Sequence, residues 1–300
     1  MGGSPPLPAL CPRTFGRPLS DCTPVLVMLS GFPDSHALWD AVVAEFSSVY
    51  HMVSIVTPDY DQPALRSRWG YTPNEVVDMI EAAILEHLGP THPFDLLMHD
   101  FGCWWGFVIE GRLAPRVRKA VALDVGIPAR PGTERVRGFF WQIPYQLFFA
   151  TVFYTGARAS PALAQALLTG MYKLGLFELF GPLGFKSKGT PRPREEIRWW
   201  LCYPYFHLWY GLVCRLRMPR APRMLQAPLL FLWGKRKRTM FHSEDFVERL
   251  RKDPGCLAVE LDCGHWLQTE APAQMLAEMR SFLLPFNGAH DIRASPKSRM

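Results

Sequence analysis

The sequence predicts an α/β fold, a mostly parallel β-sheet with helices on both faces, interrupted by a helical insertion. Three observations carry that prediction. Short, wholly apolar runs alternate with segments of helical periodicity over residues 21–127. The alternation stops over residues 128–221, where only helix-like patterns appear and aromatic side chains become dense. It resumes over residues 222–286.

Val25-Leu26-Val27-Met28-Leu29 reads as a buried strand, and it stops at the turn signal Ser30-Gly31-Phe32-Pro33. Residues 37–46 carry apolar positions at helical spacing, and residues 50–56 form a second strand ended by Pro58. Thr72 before Pro73, with Glu75 behind them, predicts a capped helix running to about residue 88. Phe94-Asp95-Leu96-Leu97-Met98 is the next strand, residues 103–113 the next helix and residues 119–123 the strand after that. After the insertion come strands at 228–233 and 257–261 and helices at 243–251 and 273–284. The Pro-rich segment 1–20 and the polar tail 287–300 are expected to be loosely ordered.

Composition narrows the function classes. Of 300 residues 48% are hydrophobic and 20% charged, which excludes a disordered or collagen-like chain. A formal net charge of +6 admits acidic ligands but does not require nucleic acid, and none is expected as a partner. The seven cysteines form no CxxC or Cys/His metal spacing, so neither a disulfide framework nor a bound metal is expected. Prolines stand where a signal peptide would have its apolar stretch. The apolar run 139–156 is broken by Gln142, Pro144 and Gln146, which suits a buried or substrate-facing lid rather than a membrane span.

Leu97-Met98-His99-Asp100-Phe101-Gly102 ends a strand and opens a helix, the place where a nucleophile elbow lifts one side chain above a sheet. That side chain is Asp100. Where serine would form acyl-enzymes, a carboxylate suits displacement at carbon and yields an ester. The competing reading of Asp100 is a helix N-cap. Asp262-Cys263-Gly264-His265-Trp266 follows the last strand, so His265 would reach the carboxyl end of the sheet as the base that activates water. A histidine base needs an orienting acid. None stands after Trp233, where Lys235-Arg236-Lys237-Arg238 reads as a solvated loop; Leu123-Asp124-Val125 supplies Asp124 at the end of the strand before the insertion. The competing reading of Asp124 is a turn cap ahead of Pro128.

Ser30-Gly31-Phe32-Pro33, His99-Asp100-Phe101-Gly102 and Cys263-Gly264-His265-Trp266, in this order, resemble the α/β-hydrolase family, in its epoxide hydrolase and haloalkane or haloacid dehalogenase branch. The resemblance implies the α/β-hydrolase fold with a lid over 128–221 and an Asp100–His265–Asp124 triad. It also implies an oxyanion hole from the backbone N–H groups of Phe32 and Phe101. Epoxide hydrolases carry two lid tyrosines that bind the epoxide oxygen, and the segments around Tyr145 and Tyr210 resemble those motifs. Trp104, Phe148, Phe149 and Trp266 are the candidate apolar contacts for a small apolar or lipid-like substrate. Phe101, where tryptophan is common, has no N–H to hold a halide, and no arginine stands there for a haloacid, which weakens both dehalogenase readings. No cofactor is implied. The alternatives are a dehalogenase or esterase on the same scaffold, or a non-catalytic lipid-binding or interaction member. Ser298-Arg299-Met300 has the small–basic–aliphatic form of a peroxisomal address. Import by the peroxisomal receptor into a peroxisome or related microbody such as the glycosome is therefore expected, with the cytoplasm as the alternative.

Overall fold

The computed structural model describes residues 6–127, 136–177 and 189–284. Seven strands form one sheet: β1 (Arg13–Gly16), β2 (Val25–Leu29), β3 (His51–Ile55), β4 (Phe94–His99), β5 (Val117–Leu123), β6 (Leu229–Gly234) and β7 (Leu257–Leu261). Their spatial order is β1-β3-β2-β4-β5-β6-β7. All neighbours run parallel except β1, which pairs antiparallel with β3 through Arg13 opposite Ser54 and Gly16 opposite His51.

The central strands β2 and β6 are apolar throughout because both faces of the sheet are covered there. Successive side chains of β2 point to opposite faces. Val25, Val27 and Leu29 join a core with α2 (Pro73–Leu88) and α3 (Phe101–Leu113), including Val76, Ile80 and Phe107. Leu26 and Met28 join a second core with Val42 and Phe46 of α1 (Asp40–Phe46). The α2 start is the capping box that Thr72 and Glu75 foretell: the Glu75 N–H donates to Thr72 Oγ1 at 3.3 Å, and the Thr72 N–H donates to Glu75 Oε2 at 2.8 Å.

Between β5 and β6 the chain leaves the sheet and forms α4 (Gln142–Arg158), α5 (Pro161–Lys173) and α6 (Tyr203–Val213). After β6 follow α7 (Glu244–Arg251), α8 (Leu267–Glu270, one turn) and α9 (Pro272–Leu283), whose Met275 and Met279 fill the second core. Among the described residues no helix is long and apolar enough to cross a membrane.

Besides the one-turn α8, which the sequence reading lacks, two elements depart from it. Residues 13–16 lie in the segment expected to be loosely ordered, yet they form the edge strand β1. An edge strand is solvated on one side, so Arg13 and Gly16 stay exposed and leave no apolar pattern to read. Helix α3 starts at Phe101, two residues earlier than its periodicity suggests, directly after Asp100. The tail 287–300 with Ser298-Arg299-Met300, and residues 128–135 of the insertion, lie outside the described residues.

Candidate active site

Asp100 occupies the turn from β4 to α3 at φ 54° and ψ −126°, a left-handed conformation that costs a non-glycine residue on the order of 1–3 kcal/mol. Close packing holds the turn in place. A Cβ on Gly102 would stand 2.1 Å from the Leu29 carbonyl oxygen, and one on Gly106 would stand 2.2 Å from Met98 Sδ. Gly106 thus makes the room that Met98 needs inside the elbow. The Asp100 side chain makes no cap bond to α3, which removes the N-cap reading. Instead Asp100 Oδ1 accepts the Phe32 N–H at 2.7 Å, and the nearby Phe101 N–H helps to hold the carboxylate charged. Gly31 permits this approach, because a Cβ there would lie 2.4 Å from both Asp100 Oδ1 and the Phe101 nitrogen.

His265, on the loop after β7, places Nε2 3.3 Å from Asp100 Oδ2 and gives Nδ1–H to Asp124 Oδ2. Asp124 sits at φ 70° at the end of β5, fully buried, and its Oδ1 accepts the Gly234 N–H at 3.0 Å from the end of β6. Asp124 therefore serves as more than a turn cap. The sequence does not foretell its other partner: Lys237 donates from Nζ to Asp124 Oδ1, with both side chains excluded from water. The loop that reads as solvated divides. Lys235 and Arg236 reach Asp262 at 3.6 and 3.7 Å, Arg238 lies over the Trp141 ring, and Lys237 turns inward.

These charges set the protonation states. Burial opposes charge on Asp124, but Lys237 and then His265 overcome it and hold the carboxyl well below the usual range. Burial would depress His265, yet Asp124 and Asp100 raise it from 6.5 to about 9. Asp100 is held below its ordinary value by His265, His99 and the Phe101 N–H, against the pull of burial.

A cavity of about 1320 Å³ opens onto Asp100, between the carboxyl ends of the strands and the insertion. Tyr145, Tyr205, Trp104 and Trp209 line it. Tyr145 and Tyr205 have ring centroids 5.9 Å apart, and Tyr205 meets Phe101 edge-on at 5.0 Å. Burial, and next to it the Asp100 charge, pushes the Tyr145 phenol upward; burial and the neighbouring Tyr145 and Asp100 do the same to Tyr205. Both hydroxyls stay protonated donors. The buried Trp209 indole N–H has no acceptor among the described residues.

Tyr210 is not part of this lining. It is 48% exposed and stacks on Phe206 at 5.6 Å. Five residues along α6 turn a side chain about 140° away, so Tyr205 occupies the place assigned to Tyr210. Pro204 marks the start of this helix in the sequence, but nothing local distinguishes Tyr205 from Tyr210. Of the expected apolar contacts, Trp104 lines the cavity. Phe149 is buried behind it against Phe32, Tyr145 and Tyr205, and Phe148 packs beside Phe149. Trp266 lies in the second core and gives its indole N–H to the buried Asp34 at 3.1 Å, forming a wall beside the His265 ring 4.8 Å away. Asp34 Oδ2 also lies 3.3 Å from Nδ1 of His99, whose Nε2–H donates to the His265 carbonyl at 3.1 Å. Among the described residues no group of three or more His, Cys, Asp or Glu could hold a metal ion.

Comparison with known proteins agrees with this architecture. A bacterial epoxide hydrolase from Bacillus megaterium superposes with a TM-score of 0.64 at 19% identity, covering 91% of this chain and 96% of that one. A marine microorganism esterase superposes with a TM-score of 0.59 at 14% identity, covering 92% and 99%. A cis-3-alkyl-4-alkyloxetan-2-one decarboxylase of Xanthomonas campestris is 34% identical over 93 residues, 28% of this chain and 30% of that protein. A probable oxidoreductase, EphD, of Mycobacterium bovis is 34% identical over 80 residues, 26% of this chain and 13% of that protein. The chain thus spans less than a third of the length of these curated relatives. The family model described as alpha/beta hydrolase family matches residues 26–278, nearly the whole of the sheet and its helices, and the chain belongs to that family of hydrolases.

Proposed function

We propose that the protein opens an apolar or lipid-like epoxide to a diol through an ester on Asp100. The observation that carries this reading is the division of labour between the two Asp100 oxygens. Oδ1 is held by the Phe32 N–H at 2.7 Å, while Oδ2 lies 3.3 Å from His265 Nε2, at the cavity that Tyr145 and Tyr205 line. Oδ2 attacks an epoxide carbon, the ring C–O bond breaks, and the oxygen takes a proton and hydrogen bonds from the tyrosines. Esterified Asp100 has lost the charge that helped raise His265, so the imidazole becomes more easily deprotonated at the step that needs a base. His265 takes a proton from water, whose hydroxide attacks Asp100 Cγ. The resulting oxyanion on Oδ1 rests on the Phe32 and Phe101 N–H groups until the Cγ–Oδ2 bond breaks. The His265 imidazolium gives its proton to the departing oxygen, the diol leaves, and the proton on the re-formed Asp100 carboxyl returns to the tyrosine.

The test is diol formation from aryl and fatty-acid epoxides by the wild type, Asp100→Asn and His265→Gln. Turnover that both substitutions abolish, with an ester trapped on Asp100 in His265→Gln, supports the reading. A folded protein that makes no diol refutes it. The Xanthomonas relative adds a second candidate, since an alkyl oxetanone is also a strained oxygen ring open to carboxylate attack. It belongs in the same panel, beside a haloalkane and a simple ester.

A further inference from the structure

The mouth of the cavity is apolar and cationic, and we infer that this face of the insertion docks on an anionic lipid surface. Phe139 and Leu212 line the cavity and are 51% and 59% exposed, so they mark where it opens. Their chain neighbours extend the apolar surface outward: Phe140 is 83% exposed, Val213 75% and Leu216 49%. Large side chains in water at one opening call for a partner. Charge identifies its chemistry. From Ile197 to Ser243 the sequence contains no Asp or Glu, while Arg215, Arg217, Arg220 and Arg223 lie in the stretch that reaches the mouth. Arg220 and Arg223 line the cavity itself, and no ion pair engages either among the described residues. The carboxylates on the lining besides Asp100 are Asp245 and Glu248 of α7, a helix that also brings Arg249 and Lys252 to the same wall.

Exposed aromatic and aliphatic side chains interleaved with arginines are what an interfacial protein presents to headgroups and acyl chains. The apolar residues insert, the guanidinium groups meet lipid phosphates, and the cavity faces the hydrocarbon. An apolar substrate then passes from lipid to Asp100 without crossing water. That last step rests on the proposed epoxide reading; the docking does not.

The experiment is vesicle sedimentation of the full chain, with phosphatidylcholine alone and with added phosphatidylglycerol. Wild-type protein partitions to the anionic vesicles, less so at high salt. Phe140→Asp combined with Val213→Asp reduces partitioning at least about tenfold. Arg215→Gln combined with Arg217→Gln reduces it about fivefold per arginine on anionic vesicles only. None of these four residues lines the cavity, so circular dichroism and turnover of a water-soluble substrate stay at wild-type values. Absence of partitioning by the wild type, or equal partitioning by Phe140→Asp/Val213→Asp, overturns the inference. So does a dimer in sedimentation equilibrium that Val213→Asp dissociates, which would assign the face to a second copy of the chain. The partitioning readout needs no turnover, so this inference and the epoxide reading fail separately.

Discussion

Replacing Lys237 by methionine removes the one lysine that the site buries against its acid while keeping most of the side-chain volume. Lys237 and Asp124 side chains are both excluded from water, and the pair contributes to holding Asp124 ionised. Losing one member of a buried pair costs ~3–5 kcal/mol, and the low end applies here because Asp124 keeps His265 and the Gly234 N–H. Unfolding a chain of this length carries an entropy of about 0.6 kcal/mol per degree, so a cost of ~3 kcal/mol lowers Tm by about 5 °C. The second consequence is electrostatic. With the ammonium gone, Asp124 acts on His265 uncompensated, so the imidazole titrates above its already raised value of about 9. Differential scanning calorimetry and an NMR titration of the His265 ring measure the two effects without any substrate. Lys237→Arg serves as the control, since it retains the charge and should leave the ring titration near that of the wild type. An unchanged Tm together with an unmoved His265 titration would refute the reasoning, and Lys237 would then be a passive filler of the loop.

The remaining predictions concern the tyrosines and pH. Tyr145→Phe and Tyr205→Phe each lower kcat about 100-fold, as loss of one donor to a developing oxyanion does, whereas Tyr210→Phe leaves kcat unchanged; steady-state kinetics on one epoxide decides all three. His265 is raised from 6.5 to about 9 in the fold, so its contribution is complete below pH 6.5 and disappears as pH rises through 9. Wild-type stability should therefore fall by about 3 kcal/mol across that window, and Asp124→Asn should flatten the decline in urea unfolding.

Much of this was written in local pattern. Six strands are legible from their apolar runs, continuous in β2 and β6 where both faces are buried, and α2 because Thr72, Pro73 and Glu75 act within one turn. Asp100, Asp124 and His265 are legible because each follows a strand, and strand ends in a parallel sheet converge on one edge. β1 escaped notice because a four-residue edge strand needs no apolar face. The choice between Tyr205 and Tyr210 depends on which side of α6 meets the sheet, and helix rotation is set by packing against α4 and the elbow rather than by residue type. Lys237 depends on tertiary structure still more. In sequence it is one of four consecutive basic residues, and only the meeting of the loops after β5 and β6 removes it from water and gives it Asp124. The sequence by itself determined the six parallel strands, the elbow and the order of the candidate site residues Asp100, Asp124 and His265, because those follow from periodicity and turn chemistry. The fold decided which tyrosine faces Asp100 and which cation answers Asp124, because burial and distance arise only when distant segments pack together.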